Sequence, residues 1–191
     1  MGNILLLPQY YVIAFLCGVC TWGFLEYKKH LDRNCQMSNK ESIALSLAVM
    51  YLFFVISSTV LVRDATDLYS FDAPLFWSYT KILEGQTGYL IENILNVFML
   101  MPIGILIGVG FDKSRINVAI IIGALISLMI EISQMLTKRG LFEFDDILHN
   151  TVGCGVGYVV CRWIEKKFIY ISSTRNMEEK DETETHSIMH W

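Results

Sequence analysis

Acidic, amide and basic side chains stand at the ends of three long apolar segments, where a hydrocarbon environment would disfavour them. The clearest stretch, residues 131–157, reads EISQMLTKRGLFEFDDILHNTVGCGVG. It contains Glu131, Asp146 and His149, and these residue types transfer protons in general acid–base catalysis. They are therefore the candidate catalytic residues of an enzyme, in which Arg139 would hold a phosphate group.

Helical periodicity collects these polar residues on single faces. Ser127, Glu131 and Gln134 are spaced i, i+4 and i+7, which places them on one stripe of a helix. In the following helix, four residues fall within an arc of about 60° at ~100° per residue; they are Asp146, Asn150, Gly153 and Gly157. A polar stripe that continues as glycines indicates a helix packed closely on a neighbour, with its hydrophilic end buried in protein.

The composition is that of an integral membrane protein. Of the 191 residues, 53% are hydrophobic and 18% are charged, the mean hydropathy is +0.44, and the apolar residues occur in blocks. The pattern predicts an all-α, polytopic bundle of five transmembrane helices, at about 4–25, 42–62, 89–111, 116–136 and 146–165. These helices form one domain, residues 1–170. The acidic remainder, 171–191, is predicted to be a disordered cytoplasmic tail.

The cysteines do not indicate a metal or redox site. Four of the five lie in apolar segments, and the pair Cys17 and Cys20 has no His or carboxylate partner nearby in the sequence. Buried free cysteines are ordinary in apolar segments. The chain also lacks a metal-ligand spacing such as HExxH. We therefore expect no metal, no cofactor and no nucleic-acid partner.

The basic residues predict an orientation with the N-terminus outside and the C-terminus inside. Eleven of the fifteen Lys and Arg residues then lie in inner segments: Lys28, Lys29, Arg33, Lys40, Lys113, Arg115, Arg162, Lys166, Lys167, Arg175 and Lys180. The outer loops retain Arg63, Lys81, Lys138 and Arg139. This distribution satisfies the positive-inside rule.

The same orientation gathers the polar ends of helices three, four and five in one layer. At about 1.5 Å per residue, that layer lies roughly 5–10 Å below the outer surface. Its members, which we call the polar layer, are Glu92, Asn93, Asn96, Glu131, Gln134, Arg139, Asp145, Asp146, His149 and Asn150. Buried carboxylates need partners, and the expected ones are Arg139, Lys138, His149 and the amides.

The polar layer has two interpretations. It is either a hydrogen-bonded plug that fixes the register of the helices, or a pocket, open to the outer leaflet, that holds a polar headgroup or performs acid–base chemistry. A transport path is disfavoured, because the inner halves of the helices, such as 97–110 and 119–128, contain no ionisable residue.

Two stretches resemble the VanZ-like membrane proteins. The first, ENILNVFMLMPIG, resembles that family's asparagine, phenylalanine-rich run and Pro-x-Gly, with Asn96, Pro102 and Gly104 as the matching residues. The second is EISQMLTKRGLFEFDDILHNTVGCGVGY, and its matching residues are Glu131, Gln134, Arg139, Asp145, Asp146, Asn150, Gly153 and Gly157. A weaker element matches at Pro74, Phe76, Trp77, Ser78 and Tyr79. The resemblance covers about 42–165, and Glu143 stands where the family frequently has Asp.

The resemblance implies a multi-pass protein of a bacterial plasma membrane. The family is named for low-level resistance to teicoplanin, a lipid-bearing glycopeptide, in Gram-positive bacteria. We therefore expect a non-enzymatic protein that lowers the effect of lipoglycopeptides or other envelope-acting agents. Its pocket would bind a lipid headgroup, a lipid-linked wall precursor or the lipid anchor of the drug.

The alternative is a membrane-embedded enzyme that acts on a lipid-linked substrate, with Glu131, Asp146 and His149 as its acid–base groups. In both cases we expect Pro102, Gly104, Gly153 and Gly157 to serve helix packing. The oligomeric state is left open.

Overall fold

Helices account for 83% of the residues that the computed structural model describes, which are 8–32, 35–65, 70–72 and 74–188. The six α-helices are α1 (Pro8–Leu31), α2 (Asn39–Ile56), α3 (Trp77–Leu83), α4 (Gly88–Gly110), α5 (Ile116–Thr137) and α6 (Phe144–Ile188). Two short strands, β1 (Ser70–Asp72) and β2 (Leu141–Glu143), complete the described elements. The predicted helical architecture is thus confirmed.

Four of the described helices are long and apolar enough to cross a membrane. These spans are Pro8–Leu31, Asn39–Leu61, Gly88–Gly110 and Ile116–Thr137. Three of them begin and end within three residues of the predicted bounds, whereas α1 extends six residues beyond the predicted end. The extension follows from the helix-forming residues Glu26, Lys28 and Lys29, which continue the helix after the apolar block stops.

The sixth helix is not among these four spans, because polar residues occupy its first two turns. It is also longer than the predicted 146–165, since its backbone remains helical to Ile188. Glu and Lys, which favour helices, are frequent in the added part. The predicted disorder of 171–191 stays a prediction.

The helices α4 and α6 run side by side in the same direction, and glycines let their backbones approach. A Cβ atom added to Gly153 would clash with the carbonyl of Val97, and one added to Gly157 would clash with the carbonyl of Met101. Gly104 contributes from the α4 side, where an added Cβ would meet the carbonyl of Cys154. Small residues at such positions give the close backbone packing on which helix association in membranes depends.

The helix α2 closes the other side of α4. The Tyr51 hydroxyl donates a hydrogen bond of 2.7 Å to the carbonyl of Met99. That carbonyl lies beside the one of Phe98, which loses its helical donor because Pro102 has no N–H. A tyrosine from α2 therefore supports α4 at the turn that Pro102 weakens.

The end of α2 differs from a regular helix. Residues Ser57–Leu61 form a π-helical turn, and the hydroxyls of Ser57, Ser58 and Thr59 donate to carbonyls of their own helix, as their positions in the sequence predict. A helix end leaves carbonyl groups without intrahelical donors. The carbonyls of this turn accept hydrogen bonds from side chains of α5 and the loop after it.

A short parallel pair of strands joins the segment between α2 and α3 to the loop between α5 and α6. Phe71 pairs with Phe142 in the centre of the pair. These strands were not predicted, since three residues are too short to show a period. The short helix α3 follows β1, and Phe76 before it has a left-handed backbone with φ 67°.

Candidate functional site

Asp145 anchors α3 to the start of α6. Its Oδ1 accepts a bond of 2.6 Å from the backbone N–H of Phe76, while its Oδ2 accepts bonds of 2.9 Å and 2.6 Å from the backbone N–H and the hydroxyl of Ser78. The first amides of a helix have no intrahelical acceptor, so a carboxylate from another helix serves as the cap of α3. Asn93 on α4 donates to the same Ser78 hydroxyl at 3.1 Å. Asp145 and Asn93 are thus engaged in positioning α3.

Asp146 points to a different helix from its neighbour Asp145, as the ~100° rotation per residue requires. Its Oδ1 accepts a bond of 2.5 Å from the amide of Asn96 on α4. Asp146 is only partly buried, and Glu92, one turn before Asn96, is exposed and close enough to act on it electrostatically. Two carboxylates therefore lie together at the accessible side of the polar layer.

Glu131 is the deepest acid of the polar layer, with 1% of its surface exposed. Its Oε2 accepts a bond of 3.0 Å from the backbone N–H of Glu143, the last residue of β2. The partner of Glu131 is thus a backbone amide and not one of the expected side chains. The β1–β2 pair holds that amide over the end of α5.

The remaining amides tie α5 to its two neighbours. Gln134 donates to the carbonyl of Thr59 at 3.2 Å, which connects α5 to the π-helical turn. Asn150 donates to the hydroxyl of Ser127 at 2.9 Å, which connects α6 to α5. Both amide residues are buried, so these bonds fix the register of the three helices.

Arg139 forms no ion pair with a carboxylate of the residues that the structure describes. Its guanidinium donates to the backbone carbonyls of Val60 and Leu61, at 3.2 Å and 2.7 Å. The expectation that it pairs with a buried acid is therefore wrong. The physical reason is that the end of α2 presents unpaired carbonyls at the same level, and these are fixed acceptors for a guanidinium.

The charge of Arg63 acts electrostatically on the carboxylates of Glu131 and Asp146. This role was not predicted from the sequence. Arg63 lies two residues after the π-helical turn, beyond Val62. No ion pair within 4.0 Å joins it to either acid. Its place one residue after an apolar helix, at the depth of the other polar groups, was the signal that could have revealed it.

His149 faces α3 and not the acids of the polar layer. Its Nε2 lies 2.8 Å from the hydroxyl of Tyr79, whose ring packs at 5.6 Å from the imidazole. Its Nδ1 has no partner with hydrogen-bond geometry among the described residues, although the carbonyl of Asp145 lies near the ring. The second such buried atom is Oδ1 of Asn150. Oδ1 of Asn150 can accept a hydrogen bond, and Nδ1 of His149 can donate or accept one according to its tautomer. Either atom could bond a polar molecule.

Nine of the ten residues of the polar layer form two parts with different roles, while the tenth, His149, bonds Tyr79 on α3. The second part also includes Arg63, from the end of α2. One part joins helices to each other, and it consists of Asn93, Gln134, Arg139, Asp145 and Asn150. The other combines carboxylates, an amide and a nearby cation at the ends of α4, α5 and α6. We call it the acid cluster, and its members are Arg63, Glu92, Asn96, Glu131 and Asp146.

The three candidate catalytic residues have separate hydrogen-bond partners. Glu131, Asp146 and His149 make no hydrogen bond to one another, and each is bound by a different element. Within the described ranges, no three His, Cys, Asp or Glu residues stand close enough to hold a metal ion. The arrangement can accept hydrogen bonds and provide charge, which are properties of a binding site.

A model of the family described as VanZ/LLP1 matches residues 12–165, which is more than half of the chain. The match includes every residue of the polar layer and of the acid cluster, and it extends through most of α1. No curated protein and no solved structure matches the chain. The matched region begins in α1 and ends in α6, so it contains the whole helical bundle that holds the polar layer. The chain belongs to the VanZ/LLP1 family.

Proposed function

We propose that the protein is a multi-pass protein of a bacterial plasma membrane that lowers the effect of teicoplanin-like lipoglycopeptides or other envelope-acting agents. In this proposal the acid cluster binds a polar ligand from the outer leaflet: a lipid headgroup, a lipid-linked wall precursor or the part of the drug next to its lipid anchor. The protein acts by binding and carries out no reaction. The family named for teicoplanin resistance supplies the phenotype, and the acid cluster supplies the site.

The proposal includes five membrane spans, with the N-terminus outside. The fifth span is the part of α6 that accompanies α4, because Gly153 and Gly157 keep the two helices in contact from Val97 to Met101 and onwards. Polar groups in its first turns are bonded to α3, α4 and α5, so they meet protein in place of lipid. The distribution of Lys and Arg supports the orientation.

The observation that carries the proposal is the partial exposure of Asp146. Its carboxylate is held at one oxygen by Asn96 and has the exposed Glu92 beside it, with Arg63 near. A purely structural plug would use these groups as it uses Asp145, whose two oxygens accept three bonds. An oriented and accessible carboxylate is instead suited to ligands that donate hydrogen bonds, such as hydroxyl, amide or ammonium groups.

The test compares drug susceptibility in a teicoplanin-sensitive Gram-positive host. The wild-type chain should raise the inhibitory concentration of teicoplanin, and Asp146→Asn and Glu131→Gln should each reduce that increase at equal protein levels in the membrane. Glu84→Gln is the matched control, because Glu84 pairs with Lys81 on the surface outside the acid cluster. The proposal fails if the two cluster variants protect as well as the wild type.

A membrane-embedded enzyme is the alternative, with Glu131, Asp146 and His149 as acid–base groups. Each of these residues has its own partner, whereas general acid–base catalysis needs such groups within hydrogen-bond reach of the substrate atoms that gain or lose protons. No observation therefore favours this alternative. Turnover of a labelled lipid-linked substrate by the purified protein, abolished in Asp146→Asn, would replace the binding proposal with it.

A further inference from the structure

A charged cavity of about 530 Å³ lies at the end of the bundle opposite the polar layer. Three elements that are distant in the sequence form it: the start of α2, the loop between α4 and α5, and α6 beyond its contact with α4. Its lining residues are Lys40, Asp112, Arg162, Glu165, Lys166, Phe168 and Ile169. Sixteen residues separate Asn96 from Asp112, which is ~24 Å along a helix at about 1.5 Å per residue. The cavity is therefore separate from the acid cluster.

One cation of the cavity is fixed in its wall. Arg162 donates to Oε2 of Glu165 at 2.8 Å and to the backbone carbonyl of Asp112 at 3.1 Å. The first bond neutralises Glu165, and the second connects α6 to the loop after α4. The arginine thus builds the wall and is not available as a free cation.

Two lysines provide the remaining positive charge. Lys40 and Lys166 are exposed, and neither forms an ion pair with the side chains that the structure describes. The cavity has three cations against two carboxylates, so its lining carries an excess of positive charge even with Asp112 ionised. Long lysine side chains that line one cavity from two different helices are suited to hold an anion such as a phosphate between them.

Apolar and aromatic side chains beside the cavity identify a membrane boundary. Phe168 and Ile169 expose 73% and 70% of their surfaces, and they belong to the cavity wall. Directly before Phe168, the Lys167 ammonium lies 5.3 Å from the ring centre of Trp163, which stands one turn earlier in α6. Tryptophan with lysine is typical of the level where lipid headgroups meet water. A ligand in this cavity thus has charge on one side and exposed apolar surface on the other.

The geometry points to a binding site for the phosphate group of an anionic phospholipid in the leaflet at this end of the bundle. The headgroup phosphate lies between Lys40 and Lys166, while an acyl chain follows Phe168 and Ile169. Basic cavities between membrane helices bind anionic headgroups in this way. The site ties the start of α2 to α6, and a bound lipid would hold these elements together at that membrane surface.

Lipid titration of the purified full-length protein in detergent tests this assignment, with bound lipid counted by native mass spectrometry. Phosphatidylglycerol should bind more tightly than zwitterionic phosphatidylcholine. The double variant Lys40→Gln/Lys166→Gln should bind phosphatidylglycerol more weakly, by about fivefold for each lysine, or on the order of 25-fold for the pair. The control is Lys28→Gln/Lys113→Gln, which removes two exposed lysines at the same end of the bundle but outside the cavity.

The outcomes separate the site from general charge. A loss confined to the cavity variant supports the assignment. Equal losses in the two double variants, or equal binding of the two lipids by the wild type, would overturn it. Displacement of phosphatidylglycerol by millimolar inorganic phosphate would assign the cavity to the free anion and would overturn the lipid assignment. Thermal unfolding of both variants, measured alongside, confirms that each is folded, since the replaced side chains are exposed.

Discussion

Asn96 on α4 donates a hydrogen bond of 2.5 Å to the carboxylate of Asp146 on α6. This bond connects the two stretches of sequence that resemble the VanZ-like proteins, since Asn96 belongs to the first and Asp146 to the second. It leaves the carboxylate oriented and partly exposed beside Glu92. The acid cluster therefore depends on the contact between α4 and α6.

The energy of that bond should appear as coupling between the two residues. A double-mutant cycle with Asn96→Ala and Asp146→Ala should give a coupling of about 1 kcal/mol, the scale of hydrogen bonds between membrane helices. Unfolding in mixed micelles measures it. The control cycle pairs Asn96→Ala with Thr137→Ala, which lies elsewhere and bonds its own helix. Coupling near zero in the first cycle would show that the bond contributes no stability.

The glycines at the contact of α4 and α6 should tolerate no side chain. Gly153→Ala should destabilise the protein by about 1–3 kcal/mol, because the new Cβ would overlap the carbonyl of Val97 and force the helices apart. Gly155→Ala is the matched control on the same helix, since its Cβ would lie 3.5 Å from a side-chain atom of Ile120, an ordinary contact. Thermal unfolding in detergent measures both. Equal melting temperatures for the two variants would contradict the packing described here.

Asp145 should control the order of α3. The variant Asp145→Ala removes the two oxygens that accept three hydrogen bonds, and hydrogen bonds to charged groups contribute about 1.5–3 kcal/mol each. Amide hydrogen exchange at Phe76 and Ser78 should therefore accelerate by at least about tenfold. Glu84→Gln, at the other end of α3, should leave exchange at these two amides unchanged. Unchanged exchange in Asp145→Ala would show that α3 is held by other contacts.

Arg63 and Arg139 should affect different properties of the protein. Arg139→Gln should lower stability by about 1–3 kcal/mol, because it leaves the carbonyls of Val60 and Leu61 without their donor. Arg63→Gln should leave stability nearly unchanged, since Arg63 is exposed, but it should alter protection against teicoplanin through Glu131 and Asp146. Unfolding and susceptibility assays on the same two variants separate these roles. Loss of protection without loss of stability in Arg139→Gln would reverse them.

The helices and their polar ends could be predicted because both depend on residue spacing. Blocks of apolar residues define α2, α4 and α5, and the i, i+4 spacing of Ser127 and Glu131 places them on one face. Adjacent residues on a helix diverge by ~100°, which explains why Asp145 and Asp146 serve different neighbours. Periodicity thus accounts for the direction in which each polar group points.

The partners of those groups could not be predicted in the same way. Arg139 binds backbone carbonyls of a π-helical turn, and Glu131 binds a backbone amide of β2; both are main-chain groups that the identity of a residue does not reveal. Side-chain partners were predicted for the buried charges, whereas the fold provides unpaired backbone groups at the same level. The role of Arg63 also required the structure, since only packing places it near two acids on other helices.

The proposed binding of a ligand from the outer leaflet requires that the polar layer face the outside of the cell. Gln86 lies at the polar-layer end of the bundle and Lys113 at the opposite end, and both are exposed. Single cysteines at these two positions, in a chain whose own cysteines are replaced, are treated with a membrane-impermeant thiol reagent on intact cells. If the polar layer faces outside, Gln86→Cys is labelled in intact cells and Lys113→Cys is labelled only after permeabilisation. The reverse pattern would place the acid cluster on the cytoplasmic side and would contradict any action on an agent in the outer leaflet.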